Sequence, residues 1–508
     1  MSTVNKAKTA SFITELPLIV SQHDEAVLLA RFEAGRQLYN ACLGEALRRL
    51  NLCRQSKLWQ KAKQSKKKTD RNNLFNEARK LYQFSEYDLH RYSTKIRNSW
   101  LKIHLDAHTA QKLATRAYKA VERILLGKAK KVRFKGKNQL SSLEGKSNQA
   151  GIRWKDDCLN WSGLKLKPLI TKYDSVIIHG LSQPVKYCRI VRRVINGKNR
   201  FYVQLVSEGL PFKKPVLTIG NETVGIDVGT STVAIVGETQ AKLCQFCDEL
   251  KTPQKKLRKL QRKLERQRRA NNPNNYDEKG MVKKGAKNWK KSQRQKQTEY
   301  QLSNLHRKTA AHRKSLHGKL ANEVLRIGDS LKLEKVSYKG WQRRYGKSIG
   351  LRAPSMFVNM LLRKAESAAV ETLVFSTAKT ALSQTCQCGC KNKKSLSKRV
   401  HKCDCGILAQ RDLYSAFLAR FVDKETELLQ AELARNSWFK GAELLLRRAW
   451  NTAVNNLQVD GRVPSSFGVP PESERVVSKV LVKPTKMSDA VASCESRQEV
   501  GGQEPPAF

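Results

Sequence analysis

The sequence predicts an α/β protein, and three observations carry that expectation. Val224-Gly225-Ile226-Asp227-Val228-Gly229 and Thr232-Val233-Ala234-Ile235-Val236 read as a buried strand, a tight glycine turn and a second buried strand. Long segments elsewhere carry apolar residues at helical spacing with lysines and arginines between them. Five of the twelve cysteines fall between Cys386 and Cys405, and in a reducing compartment such clustering points to metal binding over a disulfide framework.

Composition narrows the class. The formal charge is +54 over 508 residues, from 98 Lys and Arg against 44 Asp and Glu. So large an excess repels itself in a folded chain, and the phosphates of a polyanion would neutralise it. No apolar run is long enough to span a bilayer, and Met1-Ser2-Thr3-Val4-Asn5-Lys6 lacks the apolar core of a signal peptide. The expectation is a cytoplasmic, nucleoid-associated protein that binds nucleic acid and has no membrane partner. The length allows two or three domains with cores of their own.

Along the chain, residues 11–18 resemble a strand, and a helix follows with Val27, Leu28, Ala30, Phe32, Leu38 and Tyr39 on its apolar side. Residues 53–126 are helical and basic, broken by the polar run 64–73. Within them Leu113, Ala114, Ala117, Val121 and Leu125 form a packing face opposite Lys112, Arg116, Lys119 and Arg123. Residues 187–207 form a hairpin turning at Asn196-Gly197, the pair that tolerates positive φ at both central positions. Residues 1–215 thus read as a β-barrel-like module with a helical one, linked onward through Pro211-Phe-Lys-Lys-Pro215.

Residues 252–329 are predicted to be basic helices with a narrow stripe of Leu257, Leu260 and Leu264, a break at Asn271-Asn-Pro-Asn-Asn275 and a restart near Trp289. A run this long and one-sided reads as a surface that follows phosphates. His306, His312 and His317 are placed on a polar helix face without chemistry, and the lone pair Cys244 and Cys247 is a weak metal or redox signal. A further helix is expected over residues 424–454.

Three acids stand out. Asp227 lies inside an apolar hairpin, which is costly unless a cation meets it; taken alone it also reads as a solvated turn residue. Leu331-Lys332-Leu333-Glu334-Lys335-Val336 alternates like a half-buried strand. Glu334 could face the same edge as Asp227, or pair with Lys332 or Lys335. Asp412 opens a helix marked by Leu413, Ala416, Phe417, Ala419 and Phe421, where it could equally serve as a cap or dipole partner.

The order acid, basic helices, acid, cysteine knuckle, acid resembles the split RuvC nuclease of the transposon-encoded TnpB proteins (OrfB type) and their relatives, the type V CRISPR effectors. The matching stretches are Val224-Gly-Ile-Asp-Val-Gly229, Leu331-Lys-Leu-Glu-Lys-Val-Ser-Tyr-Lys-Gly340, Leu382-Ser-Gln-Thr-Cys386, Cys405-Gly406 and Arg411-Asp412. Arg36-Gln-Leu-Tyr39-Asn40 and Val132-Arg-Phe-Lys135 are further echoes, and the resemblance spans residues 10–425.

The resemblance implies a ribonuclease H-like fold in four parts. These are wedge and helical recognition modules in 1–215, RuvC-like segments in 216–378 and 410–460, and a zinc-ribbon insert in 379–409. A tail, 461–508, is expected to be disordered. It implies that Asp227, Glu334 and Asp412 hold two Mg²⁺ ions, one activating water for in-line attack and the other stabilising the leaving oxygen. The implied partners are a guide RNA and double-stranded target DNA, with sequence read by base pairing.

The knuckles, Cys386-Gln-Cys388-Gly-Cys390 and Cys403-Asp-Cys405-Gly406, could present four sulfurs to a structural Zn²⁺. The family usually shows CxxC, so each knuckle here is one residue short. Cys390 could replace Cys388, His401 could supply a nitrogen, or the ribbon could hold its shape without metal. At the third motif the family commonly has Asp-Arg-Asp-x-Asn-Ala-Ala, and here Tyr414 takes the place of the Asn. An RNA-guided DNA endonuclease is the leading reading. A guide-RNA-dependent DNA binder with weak or absent cleavage is the alternative that Tyr414 and the short knuckles favour. A strand-joining transposase is opposed by the knuckle before the last acid.

Overall fold

Two antiparallel hairpins, over residues 185–208 and 223–236, organise the two halves of the chain. The computed structural model describes residues 10–171, 173–213, 218–250, 253–285, 288–393, 395, 397–459 and 463–468. The first half runs β1 (Ser11–Pro17), α1 (Gln22–Gln55), α2 (Lys57–Gln64), α3 (Lys68–Leu81), α4 (Glu86–Arg97), α5 (Ala107–Leu125), β2 (Ser142–Glu144), β3 (Arg153–Lys155), β4 (Cys158–Trp161), β5 (Leu164–Leu166), α6 (Ser175–Ser182), β6 (Val185–Ile195) and β7 (Lys198–Glu208).

Helix α1 opens on a capping box, the Ser21 side chain accepting from the Asp24 N–H while the Asp24 carboxylate reaches back to Ser21. The face predicted for α5 is the buried one: Leu113, Ala114, Ala117 and Val121 join α1 in one core. The β6–β7 hairpin turns at Asn196 and Gly197 with φ of 52° and 77°. Its sheet has the order β1-β7-β6-β2, and a separate sheet has the order β3-β4-β5. The barrel-like module therefore takes the form of two small open sheets, joined through the Leu18–Pro168 bridge.

The second half runs β8 (Thr223–Val228), β9 (Thr232–Val236), β10 (Ala241–Gln245), α7 (Gln254–Asn271), α8 (Gln293–Ile327), β11 (Ser330–Lys335), α9 (Tyr338–Arg352), α10 (Pro354–Ser367), β12 (Glu371–Ser376), α11 (Thr377–Thr380), β13 (Val400–Lys402), β14 (Leu408–Gln410), α12 (Arg411–Ala419), α13 (Ala431–Ser437) and α14 (Glu443–Val459). The sheet order is β10-β9-β8-β11-β12. Strands β8 to β10 form an antiparallel meander, while β11 runs parallel to β8 and β12 parallel to β11. The basic helices α7 and α8 enter between β10 and β11.

Both faces of this sheet are covered. Val224, Ile226, Leu331 and Leu333 pack under Val324, Leu325, Phe357 and Leu361 of α8 and α10. Alternate residues Ala234 and Val236 face α12 and α14, with Leu413, Ala416 and Phe417 among their partners. Gly225 lies on that second face. A Cβ there would stand 1.9 Å from the Ala416 carbonyl oxygen, so α12 can approach this closely only over a glycine.

Several expectations need correction. His317 is not on a polar face: it is 1% exposed, wedged between Phe246 and Phe357. The helix expected over 424–454 is interrupted. Asp423 closes a turn by accepting from the Glu425 and Thr426 N–H groups, and Gly441 at φ 118° separates α13 from α14. Residues 463–468, assigned above to the tail, dock on α14, where the Trp450 indole donates to the Phe467 carbonyl at 3.0 Å. The rest of 461–508 lies outside the described residues.

Gly225→Ala should lower stability by about 3 kcal/mol, the upper end for overpacking, because backbone and not a flexible side chain stands in the way. Gly350→Ala, with nothing within 4 Å of its Cβ position, should be neutral or slightly stabilising. Thermal melting of the two variants checks the contrast.

Candidate functional site

Register brings the first two acids together. Ile226 of β8 lies opposite Leu333 of the parallel strand β11, so the next residues, Asp227 and Glu334, emerge side by side at the carboxyl ends of the two strands. Asp412 arrives from the first turn of α12, accepting from the Thr232 hydroxyl at 3.4 Å. All three carboxylates line one cleft of about 630 Å³. Trp341, Arg343 and Arg344 of α9 and the guanidinium-bearing Arg399 and Arg411 complete its wall.

The electrostatics are those of crowded acids. Burial, and then the charges of Asp412 and Glu334, hold the Asp227 carboxyl well above the usual carboxylate range, with Arg411 and Arg399 opposing. Burial also raises Glu334, against the Leu382 backbone and the Thr380 hydroxyl, which sits at 3.5 Å. Asp412 is ion-paired to Arg411 at 3.3 Å and to Arg399 at 3.8 Å. Three acids pressed together from distant segments make a site that a cation would relieve.

Two of the local alternatives, Asp412 as the helix cap and a Lys332–Glu334 pair, are not what the structure shows. The cap of α12 is Gln410, whose side-chain oxygen accepts from the Leu413 N–H at 2.7 Å; Asp412 is the second helical residue, in the first turn where the helix dipole favours an acid. Lys332 donates to the carbonyls of Arg420 and Val422 at 2.9 and 2.7 Å and is thereby turned away from Glu334.

The cysteine segment forms a second centre. The sulfurs of Cys386, Cys388, Cys403 and Cys405 lie within 4.8 Å of one another, with Cys386–Cys405 at 3.5 Å and Cys388–Cys403 at 3.6 Å. A tetrahedral Zn–S₄ site with bonds of about 2.3 Å has edges of about 3.8 Å, so this donor set is compatible with a structural zinc. Burial pushes the Cys405 thiol up to about 12. Burial acts the same way on Cys388, but the Cys390 backbone and the neighbouring thiols bring it down to about 6.

The short knuckles are accommodated by glycine. Gly389 and Gly406 both adopt φ 90°, and each N–H closes a turn onto the first cysteine of its knuckle, Cys386 or Cys403. Cys390 is exposed and contributes its carbonyl to the Cys386 N–H at 2.9 Å, while its sulfur stays outside the cluster. His401 is also outside it, buried with its ring 4.3 Å from that of Tyr414.

Tyr414 does not line the cleft. It points the other way, into the knuckle, where its hydroxyl accepts from the Gln387 N–H at 3.1 Å. The residue that departs from the family pattern therefore removes no carboxylate or amide from the acidic site. Cys244 and Cys247 have thiols raised by burial to about 12 and about 11, and among the described residues they belong to no metal-sized cluster.

Helix α7 presents Lys255, Arg258, Lys259, Arg262, Arg266 and Arg269 on one basic face that also holds Glu265. Arg268 stacks on Trp289 at 3.9 Å and Arg269 on Tyr276 at 5.2 Å, ordering the loop between α7 and α8. Sequence reasoning missed Arg399, Thr232 and the α9 side chains of the cleft. Arg411 had a signal in its adjacency to Asp412; Arg399 had none, since a hairpin brings it back.

Comparison with known proteins agrees with part of this picture. Residues 355–418 match the family model described as Cas12f1-like, TNB domain; they include the four clustered cysteines, Asp412 and Tyr414. The match bears out, over this segment, the resemblance to the TnpB proteins and type V effectors. A solved Cas12f1–sgRNA–target DNA complex is similar at 13% identity and a TM-score of 0.41, with 80% of this chain and 98% of that one covered. A CRISPR–Cas12f ternary complex is similar at 14% identity and a TM-score of 0.25, covering 78% and 81%. No curated protein matches the chain. Among the described residues no helix is long and apolar enough to cross a membrane.

An acid whose pKa rises on folding above its unfolded value of about 3.9 contributes stability while protonated, and loses that contribution as pH rises through the folded value. Without divalent cations the protein should therefore melt at lower temperature as pH climbs through that window. Asp227→Asn should flatten the slope. Equal slopes for the two proteins would contradict the crowding of Asp227.

Proposed function

We propose that the chain is an RNA-guided DNA endonuclease that hydrolyses phosphodiester bonds with a RuvC-type, ribonuclease H-like acidic centre. The observation that carries the reading is the convergence of Asp227, Glu334 and Asp412 on one cleft, with Asp227 perturbed by burial and by the other two acids. The sheet supports it. Its order is third, second, first, fourth, fifth, with the first acid on the first strand and the second acid on the parallel fourth.

Asp227, Glu334 and Asp412 are hard oxygen donors with no thiolate or imidazole among them, a set suited to Mg²⁺. Bound magnesium would supply an activated water and charge stabilisation at the leaving oxygen. The chain's own groups do the rest. Thr232 and Thr380 orient Asp412 and Glu334, and Arg399 and Arg411 offset the acids until a cation arrives. The +54 charge and the basic face of α7 would hold an RNA–DNA duplex by its backbone. The partners proposed are a guide RNA and double-stranded DNA. Cys386, Cys388, Cys403 and Cys405 would hold a structural Zn²⁺.

A second reading, a guide-dependent DNA binder that cleaves weakly, draws support from the two arginines already paired to Asp412. Cleavage of guide-matched duplex by the purified protein–RNA complex separates the two. The endonuclease reading expects Mg²⁺-dependent cuts that fall by more than about 100-fold in Asp227→Ala, beyond what loss of an outer-shell partner costs. Binding without cutting would favour the second reading, and the absence of any specific co-purifying RNA would sink both.

Zinc content tests the other centre. Cys390→Ser should retain one zinc per chain by elemental analysis, while Cys405→Ser should lose most of it on dialysis.

A further inference from the structure

We propose that the Tyr414 hydroxyl donates a hydrogen bond to the Cys386 thiolate and thereby ties the four-cysteine centre to the helix that carries Asp412. Tyr414 is then a positioning residue for the third acid. The inference rests on the zinc reading above and goes beyond it.

Tyr414 is 0% exposed, packed among His401, Phe417 and Trp438. Bulk alone would be served by phenylalanine, so the buried hydroxyl must be satisfied by partners. It accepts from the Gln387 N–H at 3.1 Å, which leaves its single proton to donate. Two acceptors are in reach: the Gln387 side-chain oxygen at 3.4 Å and the Cys386 sulfur at 3.5 Å. The first distance is long for O–H···O, whereas the second is ordinary for the larger sulfur atom. A metal-bound thiolate is anionic and can only accept, so metal loading makes the bond to sulfur the charge-assisted one.

The mechanical consequence follows from α12. Asp412 and Tyr414 are two residues apart on this short, wholly buried helix, and two residues turn a helix by about 200°. One side chain therefore faces the cleft while the other faces the knuckle. The knuckle grips the start of the helix as well. The Arg399 carbonyl accepts from the Arg411 N–H at 2.8 Å, and the Arg399 guanidinium pairs with Asp412 at 3.8 Å. Metal in the cysteine centre fixes the knuckle, the knuckle fixes α12, and α12 fixes Asp412.

The test uses the full-length protein with Co²⁺ in the cysteine centre, read by its thiolate-to-metal absorption. Tyr414→Phe keeps the ring and removes the bond. It should shift the band and lower cobalt affinity by about tenfold or more in chelator competition, the range for outer-shell partners. It should also weaken Mn²⁺ binding at the acidic cleft, read by electron paramagnetic resonance. Stripping the cysteine centre should then weaken Mn²⁺ binding further in the wild type than in the variant. Phe417→Leu, which loosens the same packing without touching the hydroxyl, should leave the cobalt band in place. A Tyr414→Phe protein with wild-type band, cobalt affinity and Mn²⁺ affinity overturns this inference alone. A wild-type chain that takes up no cobalt overturns it together with the zinc reading.

Discussion

Helix α12 can lie on strand β8 only because residue 225 has no side chain. With a Cβ position 1.9 Å from the Ala416 carbonyl oxygen, any other residue would lift the helix away from the sheet. That one approach brings Asp412 down beside Asp227, which sits two residues farther along the same strand face. The parallel pairing of β11 with β8 adds Glu334 without further help, because register alone sets the two strand acids abreast. Close packing of backbone against backbone thus does what no chain segment could do locally. It assembles a triad from positions 227, 334 and 412.

Assembly has an electrostatic consequence. Carboxylates driven together in a half-buried cleft resist ionising, and the structure answers with Arg399 and Arg411 on Asp412. These guanidiniums come from the cysteine segment and from the start of α12, so the second centre shapes the first. Further positive charge is spread along α7, where Leu260 is the buried residue, and along the outer face of α8. An acidic site inside a protein of net charge +54 is a small negative well in a positive field. Phosphates would be drawn to the field and divalent cations to the well.

Much of this was legible in the sequence because the signals were local. Asn196-Gly197 specified its hairpin, the apolar face of α5 specified its packing, and the alternation of residues 331–336 specified β11. The cysteine spacing showed that four sulfurs could meet, but it left Cys390 and His401 open. In the structure the Cys390 sulfur and the His401 ring, which lies against Tyr414, are both outside the cluster. Long-range contacts were out of reach. Nothing near Arg399 marks it as a partner of Asp412, and His317 looked polar because its aromatic neighbours come from Phe246 and Phe357. Tyr414 was read as a changed neighbour of the acidic site, whereas the helix turns it toward the knuckle. The helix expected over 424–454 failed on Asp423 and Gly441, two residues whose turn-forming chemistry outweighed the apolar periodicity.

Divalent cations shared by Asp227, Glu334 and Asp412 can be tested by location. Anomalous diffraction from crystals of the protein–RNA–DNA complex grown with Mn²⁺ would show where the ions sit. Anomalous peaks are expected between the three carboxylates, with Arg399 and Arg411 displaced from Asp412. A cleft without peaks, and both arginines still paired to Asp412, would contradict the shared site.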